Sequence, residues 1–264
     1  GSFISYSEAS TYKQRIYFVN AVTNAATHLN TTYTTDVVVG SPFLNPTSQT
    51  LYYLTTTTAY TSLNLWKSDG TVAGTSLVKN IPISGNNFGV THIANFGNKT
   101  LFQYYNNTTS PYVRQLWVTD GTSGGTSVVD SVSSTNSTMY TAGYEFNGDI
   151  YFTKHQDATG VELWKTDGAS ANATLVKDIN PGASSSSPNI LGTYNGKLYF
   201  SANDGAHGVE LWRTDGSLSG TEMVADINPG QNSSSPTKLK VLAGKIFFLA
   251  TKVLSGTEVW TYSE

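Results

Sequence analysis

The sequence contains no cysteine, few charged residues and no long apolar run. The lack of cysteine excludes disulfides, thiolate zinc sites and a cysteine nucleophile. Charged residues make up only 12% of the 264 residues, and the net charge is −3 with no basic cluster. We therefore expect no nucleic-acid partner, because phosphate binding needs grouped Lys and Arg. No apolar run approaches the roughly 18 residues of a membrane-spanning helix, so we expect no membrane insertion. No amino-terminal signal pattern is visible, and we expect any secretion signal to have been removed.

What the sequence does contain is a long repeat marked by tryptophan. The five Trp residues follow one another at spacings of 51, 47, 48 and 48 residues, in the frames NLWKSDG, QLWVTDG, ELWKTDG, ELWRTDG and EVWTYSE. Each Trp is accompanied by further short runs of β-branched or aromatic residues, which are bounded by Gly, Asn, Asp, Ser or Pro and are typical of strands. Four short strands in each repeat predict an all-β fold built from β-propeller blades. A solenoid is the structural alternative, although its coils are usually shorter and need polar caps.

The residues between the runs predict the turns of each blade. Asn-Gly pairs at 147–148 and 195–196 lie between the first and second runs and predict tight hairpins. Asp-Gly pairs follow the Trp run and precede the fourth run of the repeat, at 69–70, 120–121, 167–168 and 215–216. Asn-Pro-Gly at 180–182 and 228–230 predicts the turn that leads from one blade to the next.

Counting the repeats predicts a single domain, residues 1–264, folded as a six-bladed β-propeller of four-stranded antiparallel blades. The last blade ends after its third strand, and we expect residues 2–6 to supply its fourth strand and so close the ring. If this strand instead pairs with another molecule, the same edge would build a filament. The six predicted blades are 7–40, 41–81, 90–131, 139–179, 188–227 and 237–264 together with 2–6. The first blade has its expected first strand near Glu8–Tyr12 and its expected last strand at Asp36–Val39.

The repeats resemble the ELWxxDGT repeats of large extracellular bacterial proteins. The resemblance rests on ELWKTDGASANATLVKDINPG and ELWRTDGSLSGTEMVADINPG, and it extends with gaps over roughly 200 residues. It implies propeller blades and a location outside the cell, either secreted or on the cell surface. It implies no particular activity, and the first blade, which lacks Trp and Asp-Gly, departs from the pattern.

Most acidic residues occupy repeat positions, and we interpret them as structural. Asp side chains in tight turns bond nearby backbone N–H groups. A calcium site needs several oxygen ligands converging on one point, whereas each turn offers a single carboxylate, so we expect no metal and no cofactor. The Trp residues are interpreted as core rather than as sugar-stacking platforms, because blades pack face to face.

Residues outside the repeat positions are the candidates for ligand binding. We expect them in the loops between the second and third strands, at the face where propellers usually bind ligands. Two His-Asp pairs in neighbouring blades form the best polar group, and no catalytic residue is assigned. The candidate ligand-binding residues are Tyr60, Tyr105, Tyr112, His155, Asp157, Asp204 and His207.

Asn-x-Ser/Thr sequons are numerous and fall mainly in expected turns, where a bulky glycan fits. The candidate glycosylation residues are Asn30, Asn98, Asn106, Asn107, Asn136, Asn172 and Asn232.

Three functions are compatible with these patterns. The first is a non-catalytic extracellular binding or adhesion module with carbohydrate as the expected ligand, because uncharged polar and aromatic loops suit hydroxyl-rich partners. The second is a subunit of a surface filament or layer assembled by strand exchange. The third is an enzyme that acts on polysaccharide at the propeller face. The expected partners are a glycan or a surface protein, and self-association is a further possibility.

Overall fold

The computed structural model describes residues 2–7, 14–19, 23, 25–29, 37–57, 59–83, 85–108, 111–134, 140–169 and 173–263. These residues form 22 β-strands, and none of them is in a helix that could span a membrane. The chain divides into two compact units, Gly1–Ser137 and Thr138–Glu264. All strand pairs are antiparallel between strands adjacent in sequence, which is the expected arrangement for short strands joined by tight turns.

The first unit contains three sheets, whose strands lie side by side in chain order. Sheet 1 consists of β1 (Ser2–Ser7), β2 (Gln14–Val19) and β3 (Ala26–His28). Sheet 2 consists of β4 (Val37–Asn45), β5 (Thr50–Thr56), β6 (Ser62–Ser68) and β7 (Ser76–Pro82). Sheet 3 consists of β8 (Phe88–Phe96), β9 (Lys99–Asn106), β10 (Tyr112–Thr119) and β11 (Ser127–Ser134).

The second unit also contains three sheets with the strands in chain order. Sheet 4 consists of β12 (Tyr144–Phe146), β13 (Asp149–Gln156), β14 (Gly160–Thr166) and β15 (Thr174–Lys177). Sheet 5 consists of β16 (Asn189–Tyr194), β17 (Lys197–Asn203), β18 (Val209–Thr214) and β19 (Glu222–Ala225). Sheet 6 consists of β20 (Thr237–Leu242), β21 (Lys245–Lys252) and β22 (Gly256–Tyr262).

The predicted turns are confirmed. Asn147 and Gly148 have φ values of 52° and 83°, and Asn195 and Gly196 have 45° and 68°. Positive φ at both central residues defines the hairpin turn that Asn-Gly favours, because its twist matches that of the strands it joins. These turns align the first strand of sheets 4 and 5 with the second.

The Asp-Gly turn joins the third strand to the fourth and is held by the Asp side chain. Asp215 Oδ1 accepts hydrogen bonds from the Ser217 amide at 2.9 Å and from its hydroxyl at 2.6 Å. The Ser217 hydroxyl in turn accepts a bond from the Gly220 amide at 2.9 Å. Asp69 and Asp120 make the same contacts with a Thr two residues later. The prediction that these carboxylates serve local structure is confirmed.

The core of each unit lies between neighbouring sheets. Trp212 is only 6% exposed and packs with Val176, Ile179 and Phe200 between sheets 4 and 5. Trp66, Trp117 and Trp164 are similarly buried, at 7–8% exposure. The interpretation of these four Trp residues as core is therefore confirmed, whereas Trp260 in sheet 6 is half-buried.

The prediction that residues 2–6 complete the last blade is wrong. Ser2–Ser7 pairs with Gln14–Val19, with Phe3 opposite Phe18 and Ser5 opposite Ile16. This segment is therefore the first strand of sheet 1, and the predicted first strand near Glu8–Tyr12 lies outside the described residues. Pairing with the adjacent strand closes a short loop, which costs less conformational entropy than closing one through the whole chain.

Four of the six sheets have the predicted four strands. Among the described residues, sheets 1 and 6 have three each. Asp36–Val39 is not the last strand of the first blade, as the sequence predicts. Its described residues, Val37–Val39, open β4 instead, with Val39 opposite Leu54. The single-domain prediction and its blade boundaries stay predictions.

Candidate functional site

One end of the second unit carries the turns between second and third strands together with the crossings from sheet to sheet. We call this surface the loop face, and it comprises turns 157–159, 204–208 and 253–255 and crossings 178–188 and 226–236. The turns and crossings are packed together. The Asn203 amide donates to Ser186 O at 2.9 Å, and the Thr251 amide donates to Ser234 O at 2.7 Å. The backbone at Gly205 approaches Asn180 so closely that an added Cβ would lie 2.7 Å from Asn180 Oδ1.

A buried glutamate fixes the first crossing to its sheet. Glu162 in β14 has 0% exposure. Its carboxylate accepts hydrogen bonds from the amides of Ile179 at 3.3 Å, Asn180 at 3.5 Å and Ser186 at 3.0 Å, and from the Ser186 hydroxyl. A buried carboxylate is tolerated only when donors surround it, and this crossing supplies four.

Glu210 repeats the arrangement one sheet later. Its oxygens accept bonds from the Ile227 amide at 3.0 Å, the Ser234 amide at 3.0 Å and the Ser234 hydroxyl at 2.6 Å. Burial raises the pKa of both Glu162 and Glu210, although these hydrogen bonds act in the opposite direction. The carboxylates of Glu162 and Glu210 are enclosed by the crossings that they bind and cannot be reached by a ligand, so their function is structural.

Sequence reasoning missed this role. The sequence signal for this role is a constant spacing between two residues. Each Glu that precedes Leu-Trp binds a Ser in the crossing that follows the fourth strand of the same sheet. The separation is 24 residues both for Glu162 with Ser186 and for Glu210 with Ser234.

The predicted pair Asp204 and His207 is assembled within one turn. Asp204 Oδ2 lies 2.7 Å from His207 Nδ1, and Asp204 Oδ1 accepts the amides of Ala206 and His207 at 2.9 and 2.8 Å. The carboxylate hydrogen bond raises the pKa of His207. Partial burial acts to raise the pKa of Asp204, but the hydrogen bonds from the His207 ring and from the turn amides outweigh it, so the pKa of Asp204 is lowered. The imidazole is 42% exposed and so faces solvent as a positively charged group over a widened pH range.

The second predicted pair is looser. His155 Nδ1 lies 3.7 Å from Asp157 Oδ1, and the Asp157 side chain is 75% exposed. His155 is in the last part of β13 rather than in the loop, and its Nδ1 is buried without a hydrogen bond. Within the described part of the second unit, neither His155 nor His207 is hydrogen-bonded to a hydroxyl that could serve as a nucleophile.

The three predicted tyrosines are in the first unit, and only Tyr60 lies in a loop between second and third strands. Tyr60 contacts Phe88, with ring centroids 6.1 Å apart. Tyr105 lies in β9 and Tyr112 begins β10, so their predicted loop positions are wrong. The loop between these strands therefore comprises only residues 107–111.

Tyr105 and Tyr112 flank a cation that the sequence did not single out. The Arg114 guanidinium lies 5.4 Å from the Tyr105 ring and 5.5 Å from the Tyr112 ring. Arg114 is 3% exposed, and Nη1 donates to Asn106 O at 3.5 Å and Val113 O at 3.1 Å. Burial lowers the pKa of Arg114. One face of each tyrosine ring is thus within cation–π distance of Arg114.

The sequons differ in accessibility. Asn98 lies in the turn between β8 and β9 and is exposed, as is Asn232 in the second crossing. Asn106 and Asn107 are half-buried, and Asn106 Oδ1 accepts the Thr108 amide at 2.8 Å. The other candidate glycosylation residues, which lie outside the described residues, are Asn30, Asn136 and Asn172. Over the described ranges, no three His, Asp or Glu side chains are grouped so as to hold a metal ion.

No protein-family model and no curated protein matches the chain. Solved structures do. Prolyl oligopeptidase B from Galerina marginata matches with a TM-score of 0.53 and 11% identity over 99% of this chain and 40% of its own. One of two prolyl endopeptidases analysed for inter-domain dynamics in catalysis and specificity matches with a TM-score of 0.51 and 12% identity. The match covers 99% of this chain and 39% of that enzyme. The β-propeller domain of the trilobed protease from Pyrococcus furiosus matches with a TM-score of 0.47 and 11% identity. The match covers 98% of this chain and 77% of that domain.

The described residues form an all-β fold of three- and four-stranded antiparallel sheets, and a propeller-like arrangement accords with these neighbours. The chain spans about 40% of the length of the two prolyl peptidases. The function expected from the sequence, a non-catalytic extracellular binding or adhesion module, is contradicted, because the structures it resembles are enzymes. That expectation depended on the scarcity of reactive groups in one chain, whereas a propeller can be one part of a larger enzyme. The filament and polysaccharide alternatives are withdrawn with it.

Proposed function

We propose that this chain is the propeller part of an enzyme that acts on peptides, and that its loop face influences which substrates reach catalytic groups carried by another domain. The observation that carries the proposal is the match of 99% of the chain to only about 40% of each prolyl peptidase. One of those enzymes is described in terms of inter-domain dynamics in catalysis and specificity. A propeller in such an enzyme would act through the surface that it presents rather than through its own bond-breaking residues.

The loop face is suited to such a role because its turns are fixed before any substrate arrives. Glu162 and Glu210 hold both crossings from inside. The Asp204–His207 pair stands on this rigid base with the imidazole exposed. Groups held rigidly lose little conformational freedom on binding. An exposed imidazolium is a donor for a peptide carbonyl or carboxylate, and its charge depends on pH.

We further propose that the six sheets are six blades of one propeller and that its repeats are of the ELWxxDGT class. The repeated frames and the propeller neighbours support this proposal. We also propose a secreted or cell-surface location, which the charge-poor, hydroxyl-rich composition favours.

Peptide binding to the purified chain tests the function. The probe is a proline-containing peptide of 35 residues, the substrate length bound by variants of prolyl oligopeptidase B, together with shortened versions, and calorimetry gives the affinities. The test variant combines Asp204→Asn, which keeps an oxygen for the turn amides, with His207→Gln. The matched control is Asp215→Asn, at the Asp-Gly turn on the other end of sheet 5.

We expect saturable binding that is weakened several-fold in the loop-face variant and unchanged in the control. Absence of binding at every peptide length, or equal weakening in the test variant and the control, would overturn the proposal.

A further inference from the structure

The indole N–H groups of the buried Trp residues differ in their partners. In the first unit, Trp66 Nε1 donates to Thr55 Oγ1 at 3.1 Å, and Trp117 Nε1 donates to Gln115 Oε1 at 3.2 Å. In the second unit, Trp212 is 6% exposed, and its Nε1 is buried with no acceptor among the described residues. Buried polar groups in folded proteins are nearly always hydrogen-bonded, so this donor needs an explanation.

The acceptor that Trp66 uses is not available to Trp212. Thr55 lies in β5, two residues beyond the residue opposite Trp66. The same position in sheet 5, two residues beyond the residue opposite Trp212, is Ala202. Ala202 is completely buried and belongs to the same cluster as Trp212, but its methyl group cannot accept a hydrogen bond.

The acceptor that Trp117 uses is also unavailable. Glu210 takes the place of Gln115, two residues before the Trp. Its carboxylate oxygens instead accept the Ile227 amide and both the amide and the hydroxyl of Ser234. The crossing after sheet 5 therefore occupies the side chain that could otherwise have served the indole.

An unused acceptor lies in the same interface as Trp212. Asp178 Oδ1 is buried without a hydrogen-bond partner in the described chain, whereas Oδ2 accepts the Gly182 amide at 3.1 Å. Both sequence neighbours of Asp178 contact the indole, since Ile179 belongs to its cluster and Lys177 Nζ lies 5.8 Å from its centroid. A buried donor and a buried acceptor thus share the interface between sheets 4 and 5 without bonding each other.

The same combination recurs between sheets 5 and 6. Asp226 Oδ1 and Trp260 Nε1 are both buried without a partner among the residues that the structure describes. Asp226 Oδ2 accepts the Gly230 amide at 3.3 Å, and the residue two beyond the one opposite Trp260 is again an alanine, Ala250. Asp226 and Trp260 line one cavity, so the two groups of this pair border a common space.

We propose that a water molecule binds between Trp212 and Asp178, accepting the indole N–H and donating to Oδ1 of the carboxylate. The ligand must both accept and donate a hydrogen bond. A metal cation cannot accept one from the indole, and an anion would be repelled by Asp178. Buried waters typically make two to four hydrogen bonds to polar groups that have no other partner.

This water links the loop face to sheet 5. Asp178 begins the crossing 178–188 and holds its Gly182 amide. The crossing is already bound to Glu162 of the sheet before it, and through the water it is bound to Trp212 of the sheet after it. The link does not depend on the peptidase role.

High-resolution crystal structures of the purified full chain and of Ala202→Thr test the site. The substitution gives sheet 5 the hydroxyl that Thr55 supplies in sheet 2. In the wild-type chain we expect density for one water within about 3.2 Å of both Trp212 Nε1 and Asp178 Oδ1. The indole of Trp117, which has its own acceptor, is the internal control and should bind no water. In the variant the introduced hydroxyl should accept the indole N–H, and the water should be absent.

Hydrogen exchange measures the link in solution. In Ala202→Thr we expect the Gly182 amide to exchange several-fold faster, because Asp178 is then held by fewer bonds. The Gly230 amide is the matched control, since it makes the same bond to Asp226 in the next crossing. Its exchange rate should be equal in the two proteins.

Three outcomes of the wild-type structure would overturn the proposal: a direct bond between Trp212 and Asp178, no water at either group, or a water that contacts only one of them. The wild-type structure decides this even if the variant does not fold. Unchanged Gly182 exchange in a folded variant would overturn the link to the crossing.

Discussion

The Ser234 hydroxyl donates a 2.6 Å hydrogen bond to Glu210 Oε2, while the amide of the same residue donates to Oε1 at 3.0 Å. One residue of the crossing thus binds both oxygens of a carboxylate that lies 24 residues earlier in β18. The contact is completely buried at both ends, with 0% exposure for each residue. The path of the crossing over sheet 5 is fixed by this pair together with the Ile227 amide.

Removing the hydroxyl alone measures its share of this contact. We expect Ser234→Ala to lower the free energy of unfolding by about 1–3 kcal/mol, because a buried carboxylate loses one donor and keeps its charge. Urea denaturation measures the change. Ser255→Ala, in the exposed turn of sheet 6, is the control and should change stability by less than about 0.5 kcal/mol. Equal effects of the two substitutions would contradict the importance of the contact.

The buried glutamates also make stability depend on pH. Burial raises the pKa of Glu210, so the folded state holds its proton more tightly than the unfolded state does. The resulting stabilisation is present below the ordinary pKa of glutamate and is lost as pH rises through the raised value. Glu210→Gln cannot titrate, so the wild-type advantage over this variant should shrink as the pH rises above the ordinary pKa of glutamate, about 4.3. Denaturation of both proteins across that range measures it, and an advantage that grows with pH would contradict the sign.

The Asp204–His207 pair predicts a shifted histidine titration. The hydrogen bond to Asp204 raises the pKa of His207 above its ordinary value. The stabilisation is complete below the ordinary value and is lost as pH rises through the raised one. Proton NMR of the His207 ring should therefore show a raised midpoint that returns toward about 6.5 in Asp204→Asn. An identical His207 midpoint in both proteins would disprove the pairing.

Two adjacent glycines in the turn after β10 should respond differently to substitution. A Cβ on Gly125 would lie 2.2 Å from the Asp120 carboxylate, whereas one on Gly124 would meet nothing within 4 Å. Asp120 holds the turn through Thr122. We expect Gly125→Ala to destabilise the protein by about 1–3 kcal/mol through displacement of this carboxylate. Gly124→Ala should be neutral or slightly stabilising, as for glycines replaced at unstrained positions, and thermal denaturation compares them.

The sequence predicts those parts of the fold that local chemistry determines. Asn195-Gly196 and Asp215-Gly216 specify turns because their backbone angles and side-chain bonds involve only neighbouring residues. The burial of Trp212 follows from the repeat, since a blade's middle strand is covered on both faces.

What the sequence could not supply is the identity of partners distant along the chain. Ser2–Ser7 has the pattern of a strand, but this pattern does not specify which other strand it pairs with. Its pairing with Gln14–Val19 is visible only in the folded structure. Arg114 did not stand out because its environment depends on Tyr105 and Tyr112, which reach it from two strands. The role of Glu210 depends in the same way on a Ser that only folding brings near.

Three of the four bonds to Glu162 come from main-chain amides, and only the Ser186 hydroxyl is a side-chain donor. Main-chain amides are present whatever residue is substituted, proline excepted. The exposed side chains of Ala183 and Ser184 can therefore be exchanged while the crossing beneath them keeps its path. Gly182, with a φ of 90°, and Ser185, whose hydroxyl accepts the Val161 amide at 2.9 Å, must stay. Each crossing of this kind thus offers one short exposed segment at which recognition residues can be introduced.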